Sequence, residues 1–96
     1  MRDVILRPEA ERDIEDIADY TIEQWGKGQA RLYVSELRQA IEGLSTSGMR
    51  HPLAQYAHPG LRRMICGSHL IFYLIDDTAV DVVRILHERM DIDAQL

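Results

Sequence analysis

The fold is decided by residues 69 to 76, His-Leu-Ile-Phe-Tyr-Leu-Ile-Asp, a stretch in which apolar and aromatic side chains follow one another without a break. Successive side chains of a strand point to opposite faces of the sheet, so both faces of this strand are apolar. That pattern is typical of a strand in the middle of a sheet that is covered on each side. We therefore expect residues 69 to 76 to form a central strand.

Two further strands are predicted on either side of the central one, over residues 61 to 66 and 79 to 87. Gly67-Ser68 supplies the first hairpin turn, and Asp76-Asp77-Thr78 supplies the second. Hairpins this tight make the three strands antiparallel neighbours, while the place of any other strand in the sheet is left open.

The first half of the chain predicts one short strand and two helices. Residues 2 to 7 form the strand, which ends at Pro8, and an amphipathic helix follows up to Trp25, which we assign to the core. Gly26 and Gly28 are expected to end this helix. A second apolar stripe runs from Ala30 to Leu44, and residues 49 to 60 are expected to be an irregular connection.

These elements predict an α+β fold of order β-α-α-β-β-β, in which the N-terminal strand and a helical hairpin pack on a small, mainly antiparallel sheet. A helical hairpin covers only one face of such a sheet. We therefore expect the second face to be a functional concavity or a surface on which another chain docks.

The 96 residues have room for one domain, residues 1 to 96, with one modest core. The N-terminus has no apolar run of signal-peptide length, and no membrane span is evident, so we expect a cytoplasmic protein. The single cysteine, Cys66, excludes a disulfide scaffold and a zinc ribbon. We expect no cofactor and no metal.

Charge is unevenly distributed along the chain, whose formal net charge is -5. The 33 residues between Glu42 and Asp76 contain no carboxylate. The same segment contains Arg50, Arg62 and Arg63 together with three histidines. An acidic protein thus has a locally basic segment, which suits contact with a phosphate or an acidic partner.

Two C-terminal stretches carry a family resemblance. They are residues 61 to 73, Leu-Arg-Arg-Met-Ile-Cys-Gly-Ser-His-Leu-Ile-Phe-Tyr, and residues 82 to 91, Val-Val-Arg-Ile-Leu-His-Glu-Arg-Met-Asp. Together with residues 8 to 14 and Trp25-Gly26, they resemble the ParE branch of the RelE/ParE toxin superfamily. The resemblance implies a toxin of a type II toxin-antitoxin pair, held inactive by a ParD-like antitoxin through which alone it would meet DNA.

The superfamily offers two activities, since ParE-type toxins poison DNA gyrase and RelE-type toxins cleave mRNA on the ribosome. A chain of net charge -5 with a single lysine is poorly suited to lie against RNA. The sequence therefore favours a gyrase inhibitor that acts by protein binding and is not an enzyme. A ribosome-dependent endoribonuclease, suggested by Arg84 and His87, and an inactive antitoxin-binding module are the alternatives.

The residues proposed to bind the target are four arginines and one histidine. Arg84 is expected to share a strand face with Val80, Val82 and Leu86, where it either forms an internal ion pair or contacts the target. His87 lies on the opposite face, either as a residue at the edge of the core or as a target contact. Successive arginines of a strand point apart, so at most one of the pair at 62 and 63 faces a shared groove. The candidates are Arg62, Arg63, Arg84, His87 and Arg89.

For the antitoxin we expect an amphipathic helix against the helical hairpin and an extended segment against the sheet. The acidic candidates for this contact lie on the two helices, and the apolar candidates lie on the central strand. They are Glu15, Asp19, Glu36, Ile71 and Tyr73. No residue is assigned a catalytic role.

Overall fold

In the computed structural model, which describes residues 1–54 and 58–96, one sheet of four strands packs against two long helices. The strands are β1 (Asp3–Leu6), β2 (Arg62–Cys66), β3 (His69–Ile75) and β4 (Ala79–His87). The helices are α1 (Pro8–Trp25), α2 (Lys27–Ser47) and a short α3 (Ile92–Gln95), with a 3-10 turn at Gly48–Arg50. The expected connection over residues 49 to 60 begins inside this turn, and residues 55 to 57 of it lie outside the described residues.

The strands are ordered β1-β4-β3-β2. β3 is antiparallel to both β2 and β4, while β1 runs parallel to β4 and supplies the edge that the sequence left open. The α+β class, the element order and the central position of the strand at residues 69 to 75 are confirmed. The short α3 was not predicted.

The helical hairpin reverses at a single residue. Gly26 has a φ of 91°, which glycine adopts readily, and its N–H donates to the carbonyl of Ile22 at 2.9 Å. Because this residue alone turns the chain, α2 begins at Lys27, and the expectation that Gly28 helps to end α1 was wrong. Within residues 1–54 and 58–96, no helix is long and apolar enough to span a membrane.

The helix-facing side of the sheet forms the larger core. Tyr73 is fully buried there, and its hydroxyl donates to the carbonyl of Gly48 at 2.6 Å. Burial raises the pKa of Tyr73 to about 12. Ile71 is equally buried, so the expectation that Ile71 and Tyr73 contribute to an antitoxin surface is corrected: both side chains are enclosed by the hairpin. The buried members of this core are Ala10, Ile14, Ile17, Leu37, Ile41, Leu44, Met64, Ile71, Tyr73, Val80, Val82 and Ile85.

The opposite side of the sheet has a smaller core of its own. Leu70, Phe72 and Leu86 are covered there by Ala54, Leu61 and Ile92. The chain after α2 folds back along β2, where the N–H of Arg63 donates to the carbonyl of Pro52 at 3.1 Å. The expectation of an open apolar face was therefore wrong, because this segment and α3 fill the middle of that face.

A β-bulge in β4 changes which residues share a face. Phe72 is opposite Arg84 and Tyr73 is opposite Val82, so Val83 is an extra residue in β4. A bulge of this kind shifts the alternation of side chains by one position. Val80 and Val82 consequently lie in the helix-facing core, and the expectation that they share a face with Arg84 was wrong.

Candidate functional site

An open groove of about 590 Å³ lies where the turn of the helical hairpin meets the β2–β3 turn and the end of β4. Aromatic, imidazole and amide side chains make up most of its walls. Two of the predicted target residues, His87 and Arg89, lie in this groove. The lining residues are Tyr20, Thr21, Trp25, Gln29, Tyr33, Ser68, His69, His87, Glu88 and Arg89.

Tyr33 of α2 ties the helical hairpin to the β2–β3 turn. Its hydroxyl oxygen accepts the N–H of Ser68 at 3.2 Å and lies 2.6 Å from Nδ1 of His69. The same hydroxyl lies 3.3 Å from the carbonyl oxygen of Cys66. Burial raises the pKa of Tyr33, so this hydroxyl is a neutral hydrogen-bonding group at neutral pH.

Two histidines stand edge to face at the floor of the groove. His69 and His87 are paired across β3 and β4, and their ring centroids are 5.2 Å apart. Burial, aided by the neighbouring His87, lowers the pKa of His69 to about 4. Nδ1 of His87 accepts the N–H of Arg89 at 3.1 Å, which fixes the orientation of the His87 ring. His69 is therefore a neutral, positioned group and not a proton donor near pH 7.

The low pKa of His69 predicts a pH-dependent stability. The unfolded chain takes up a proton near pH 6.5 and the folded chain only near pH 4, so stability is full above pH 6.5 and declines as pH falls toward 4. One pKa unit corresponds to ~1.4 kcal/mol, and because the ring is only half-buried we expect a loss of roughly 1.5 kcal/mol across this window. Urea unfolding of the wild type at a series of pH values measures it.

The variant His69→Gln separates this loss from the titration of carboxylates, which also begins at the acidic end of the window. We expect the difference in unfolding free energy between wild type and variant to shrink steadily between pH 6.5 and 4. A difference that stays constant over this range would show that His69 titrates normally.

Gly67, in the β2–β3 turn, allows the Tyr33 side chain to approach the backbone of the turn closely. Its φ is +57°, and a Cβ there would lie 2.7 Å from the Tyr33 hydroxyl oxygen. Backbone strain and this overlap together lead us to expect that Gly67→Ala costs about 2 kcal/mol. Gly60→Ala is the matched control, since Gly60 has a φ of +80° with nothing near its Cβ. Equal urea midpoints for the two variants would contradict the overlap.

Arg84 is engaged inside the protein. Its Nε and Nη2 donate to the carboxylate of Asp13 at 2.8 and 2.9 Å, and its Nη1 donates to the carbonyl of Gln95 at 3.2 Å. The same carboxylate accepts the N–H of Ile85 at 2.9 Å. The hydrogen bonds to Asp13 raise the pKa of Arg84. Of the two roles predicted for Arg84, the structure shows the internal ion pair.

Arg62 and Arg63 lie away from the groove. They pair with Tyr73 and Phe72, whereas the groove begins where Cys66 pairs with His69, about 13 Å from Arg62 and about 10 Å from Arg63 along β2 at ~3.3 Å per residue. Arg62 donates to the carbonyl of His51 at 2.7 Å and so holds the segment after α2. The structure therefore does not bring the five predicted target residues together.

The acidic residues predicted to contact an antitoxin are exposed on the helices. Glu15 and Asp19 lie on α1, four residues apart and thus on the same side of the helix. Glu36 lies on α2 close enough to Tyr33 and Cys66 to raise their pKa values, after the larger effect of burial. The exposed Asp16, four residues before the groove residue Tyr20, lies on the same side of α1 as Tyr20, so acidic side chains adjoin the groove wall.

Trp25 and Tyr20 are the two most exposed aromatic residues among the groove residues that the sequence did not identify. Trp25 was assigned to the core, but 73% of it is exposed, and 62% of Tyr20 is exposed. Trp25 is the last residue of α1, directly before the reversal at Gly26. The signal available in the sequence was the position of Trp25 directly before a glycine turn.

The groove offers aromatic and hydrogen-bonding side chains to an occupant. General acid–base catalysis works best with a pKa near the working pH, and the pKa of His69 is far from it. Among the described lining residues, the carboxylate and guanidinium side chains are Glu88 and Arg89. No group of three or more His, Cys, Asp or Glu side chains within residues 1–54 and 58–96 could hold a metal ion.

Comparison with known proteins identifies the family of this chain. A family model described as the ParE toxin of type II toxin-antitoxin systems, parDE, matches residues 4–92. The chain belongs to the ParE toxin family. This confirms the resemblance found in the sequence, and membership of this family indicates an antitoxin partner.

Relatives of known name agree with this ParE assignment. Toxin ParE1 of Mycobacterium tuberculosis is 38% identical over 93 residues, which cover 96% of this chain and 95% of that protein. Toxin ParE of Escherichia coli is 38% identical over 94 residues, covering 96% and 90%. The solved structure described as the chromosomal ParDE TA system from P. aeruginosa superposes with a TM-score of 0.80 at 16% identity, covering 91% of this chain and 96% of that one, which shows the shared fold.

Proposed function

We propose that this ParE-family toxin, acting as one domain over residues 1 to 96, inhibits DNA gyrase by binding it in the cytoplasm. A ParD-like antitoxin neutralises it and provides its only link to DNA. His87 and Arg89 contact the target, because they are the two predicted target residues that lie in the groove. Arg84 instead holds the fold together, and Arg62 holds the segment after α2.

The charge around the groove is the observation that carries this proposal. Within the groove Glu88 is balanced by Arg89, but the adjoining side of α1 presents Asp16, Asp19 and Glu23, all exposed. RNA or DNA phosphates approaching this wall would be repelled. A protein surface that offers apolar and basic side chains would be attracted, and exposed Trp and Tyr side chains are enriched where proteins bind one another.

A supercoiling assay tests the gyrase proposal. Purified toxin at micromolar concentration should inhibit gyrase and accumulate cleaved DNA, and purified antitoxin should restore supercoiling. We expect His87→Ala and Arg89→Ala to weaken inhibition about tenfold each, as for residues central to an interface. Arg50→Ala is the control, since Arg50 is an exposed arginine outside the groove. Unchanged supercoiling and cleavage at micromolar toxin would refute the proposal.

A ribosome-dependent endoribonuclease remains the second candidate because the groove brings Tyr33, His69 and His87 together. Cleavage of RNA through its 2'-hydroxyl requires groups of these types. Primer extension on mRNA after induction decides between the two functions, since new cuts that disappear in His87→Gln would support this candidate and intact messages would dismiss it. Expression that is harmless without antitoxin would favour an inactive antitoxin-binding module.

A further inference from the structure

The groove has a pair of exposed aromatic side chains that nothing in the fold explains. Trp25 is 73% exposed and Tyr20 is 62% exposed, although both stand on a well-packed helix. Ile65, by comparison, is a single exposed side chain on the edge strand β2, and single exposed apolar side chains are normal. Two large aromatic rings on the walls of one concave site are the usual form of an interface anchor point.

The α1 surface next to Tyr20 has a net negative charge, since its three carboxylates outnumber Arg12 at its N-terminal end. Asp16, Tyr20 and Glu23 are spaced by four and three residues on α1, and Asp19 is four residues before Glu23, so they form one continuous helix surface. The three ion pairs within residues 1–54 and 58–96 are Arg7–Asp81, Arg38–Glu11 and Arg84–Asp13, and none of them neutralises this surface. A complementary occupant must be basic.

We propose that the groove and the acidic surface of α1 bind a basic segment of the antitoxin. One apolar side chain of that segment inserts between Tyr20 and Trp25, and its Lys or Arg residues lie over Asp16, Asp19 and Glu23. This inference rests on the proposed neutralisation by an antitoxin. It differs from the contact expected from the sequence, because β3 is enclosed and the anchoring aromatics lie at the end of the helical hairpin.

The same geometry suggests how neutralisation works. His87 and Arg89 line the groove that Trp25 borders, so a segment seated between the aromatic rings covers both residues. Antitoxin and target then cannot occupy the groove together. Neutralisation follows from simple exclusion and requires no change in the fold of the toxin.

The single tryptophan of the chain makes the inference directly measurable. Toxin labelled with 5-fluorotryptophan gives one fluorine NMR signal, from Trp25, whatever the antitoxin contains. Adding purified cognate antitoxin, obtained by expressing both proteins from their operon, should shift this signal and protect it from a soluble paramagnetic quencher. A complex in which the signal neither shifts nor becomes protected would overturn the inference while leaving the proposed function intact.

Affinity measurements on variants test the two parts of the site. Trp25→Ala should weaken binding of the cognate antitoxin at least tenfold, and Ile65→Ala, which truncates a similarly exposed residue on the opposite face of the sheet from His69, should change it less than twofold. The triple variant Asp16→Asn, Asp19→Asn, Glu23→Gln should slow association several-fold and reduce its salt dependence. Asp77→Asn, at an exposed turn, is its control.

Two further results would overturn the inference. If Trp25→Ala leaves antitoxin affinity unchanged but abolishes gyrase inhibition, the aromatic pair belongs to the target surface. Wild-type toxin that binds no antitoxin at all would remove the proposed neutralisation together with this site. Urea midpoints within experimental error of the wild type establish that each variant is folded.

Discussion

Asp13→Ala is expected to destabilise the toxin by about 3 kcal/mol, because it leaves a largely enclosed guanidinium without its partner. The Asp13 side chain is 11% exposed and that of Arg84 is 23% exposed. The change also removes the acceptor of the Ile85 N–H, in a residue that is 2% exposed. Alanine is the better helix former, so its propensity works against this loss and does not explain it. Urea unfolding at pH 7 gives the free-energy difference.

Asp13→Asn keeps one oxygen that can accept the Ile85 N–H but removes the charge, so we expect about half the loss. Glu11→Ala is the matched control on the same helix. It breaks the ion pair with Arg38, whose side chains are 50% and 47% exposed, and exposed pairs contribute only ~0 to 1 kcal/mol. If Asp13→Ala costs no more than Glu11→Ala, the contact with Arg84 is not a structural one.

The strands were predictable because their signals are local. The apolar run over residues 69 to 75 and the turns at Gly67 and Asp76 fix three antiparallel neighbours whatever the rest of the chain does. The parallel pairing of β1 with β4 joins residues about 75 positions apart, such as Val4 and Val80. No periodicity in either segment records such a pairing, so the strand order could not be derived.

The candidate site was predicted only in part because it depends on small departures from regular structure. His87 and Arg89 were identified as basic residues near the end of a strand. Because of the bulge at Val83, Val80 and Val82 lie on the other face of the sheet from Arg84. A prediction that assumes strict alternation cannot identify such a bulge. Trp25 has the spacing of a core residue, and only the single-residue reversal at Gly26 places it in the groove.

The sequence also could not predict that the second face of the sheet is covered. It depends on Leu61 and Ala54 returning over β2 and on Ile92 in a helix of four residues, which is too short to show a periodic pattern. The consequence for function is considerable. A partner cannot bind to the middle of that face. The groove with the exposed aromatic side chains is the surface that we propose for partner binding instead.

Phe72→Ala is expected to have the largest effect, a loss of about 4 kcal/mol, because it empties the centre of the second core. Phe72 is fully buried between Leu61, Leu70 and Ile92. On an open docking surface the same truncation would be nearly neutral, since surface substitutions change stability by only ~0.5 kcal/mol. Urea unfolding, with antitoxin absent, therefore distinguishes a self-filled face from a vacant one.

Ile65→Ala supplies the control for Phe72→Ala, because Ile65 points to the same face from the edge strand and is 64% exposed. We expect it to change stability by less than about 0.5 kcal/mol. If Phe72→Ala fails to fold, Phe72→Leu gives the graded value, which we expect near 1.5 kcal/mol because less volume is lost. A Phe72→Ala variant as stable as Ile65→Ala would show that the second face is not filled by the chain itself. That face would then be a second candidate binding site for the antitoxin, beside the groove.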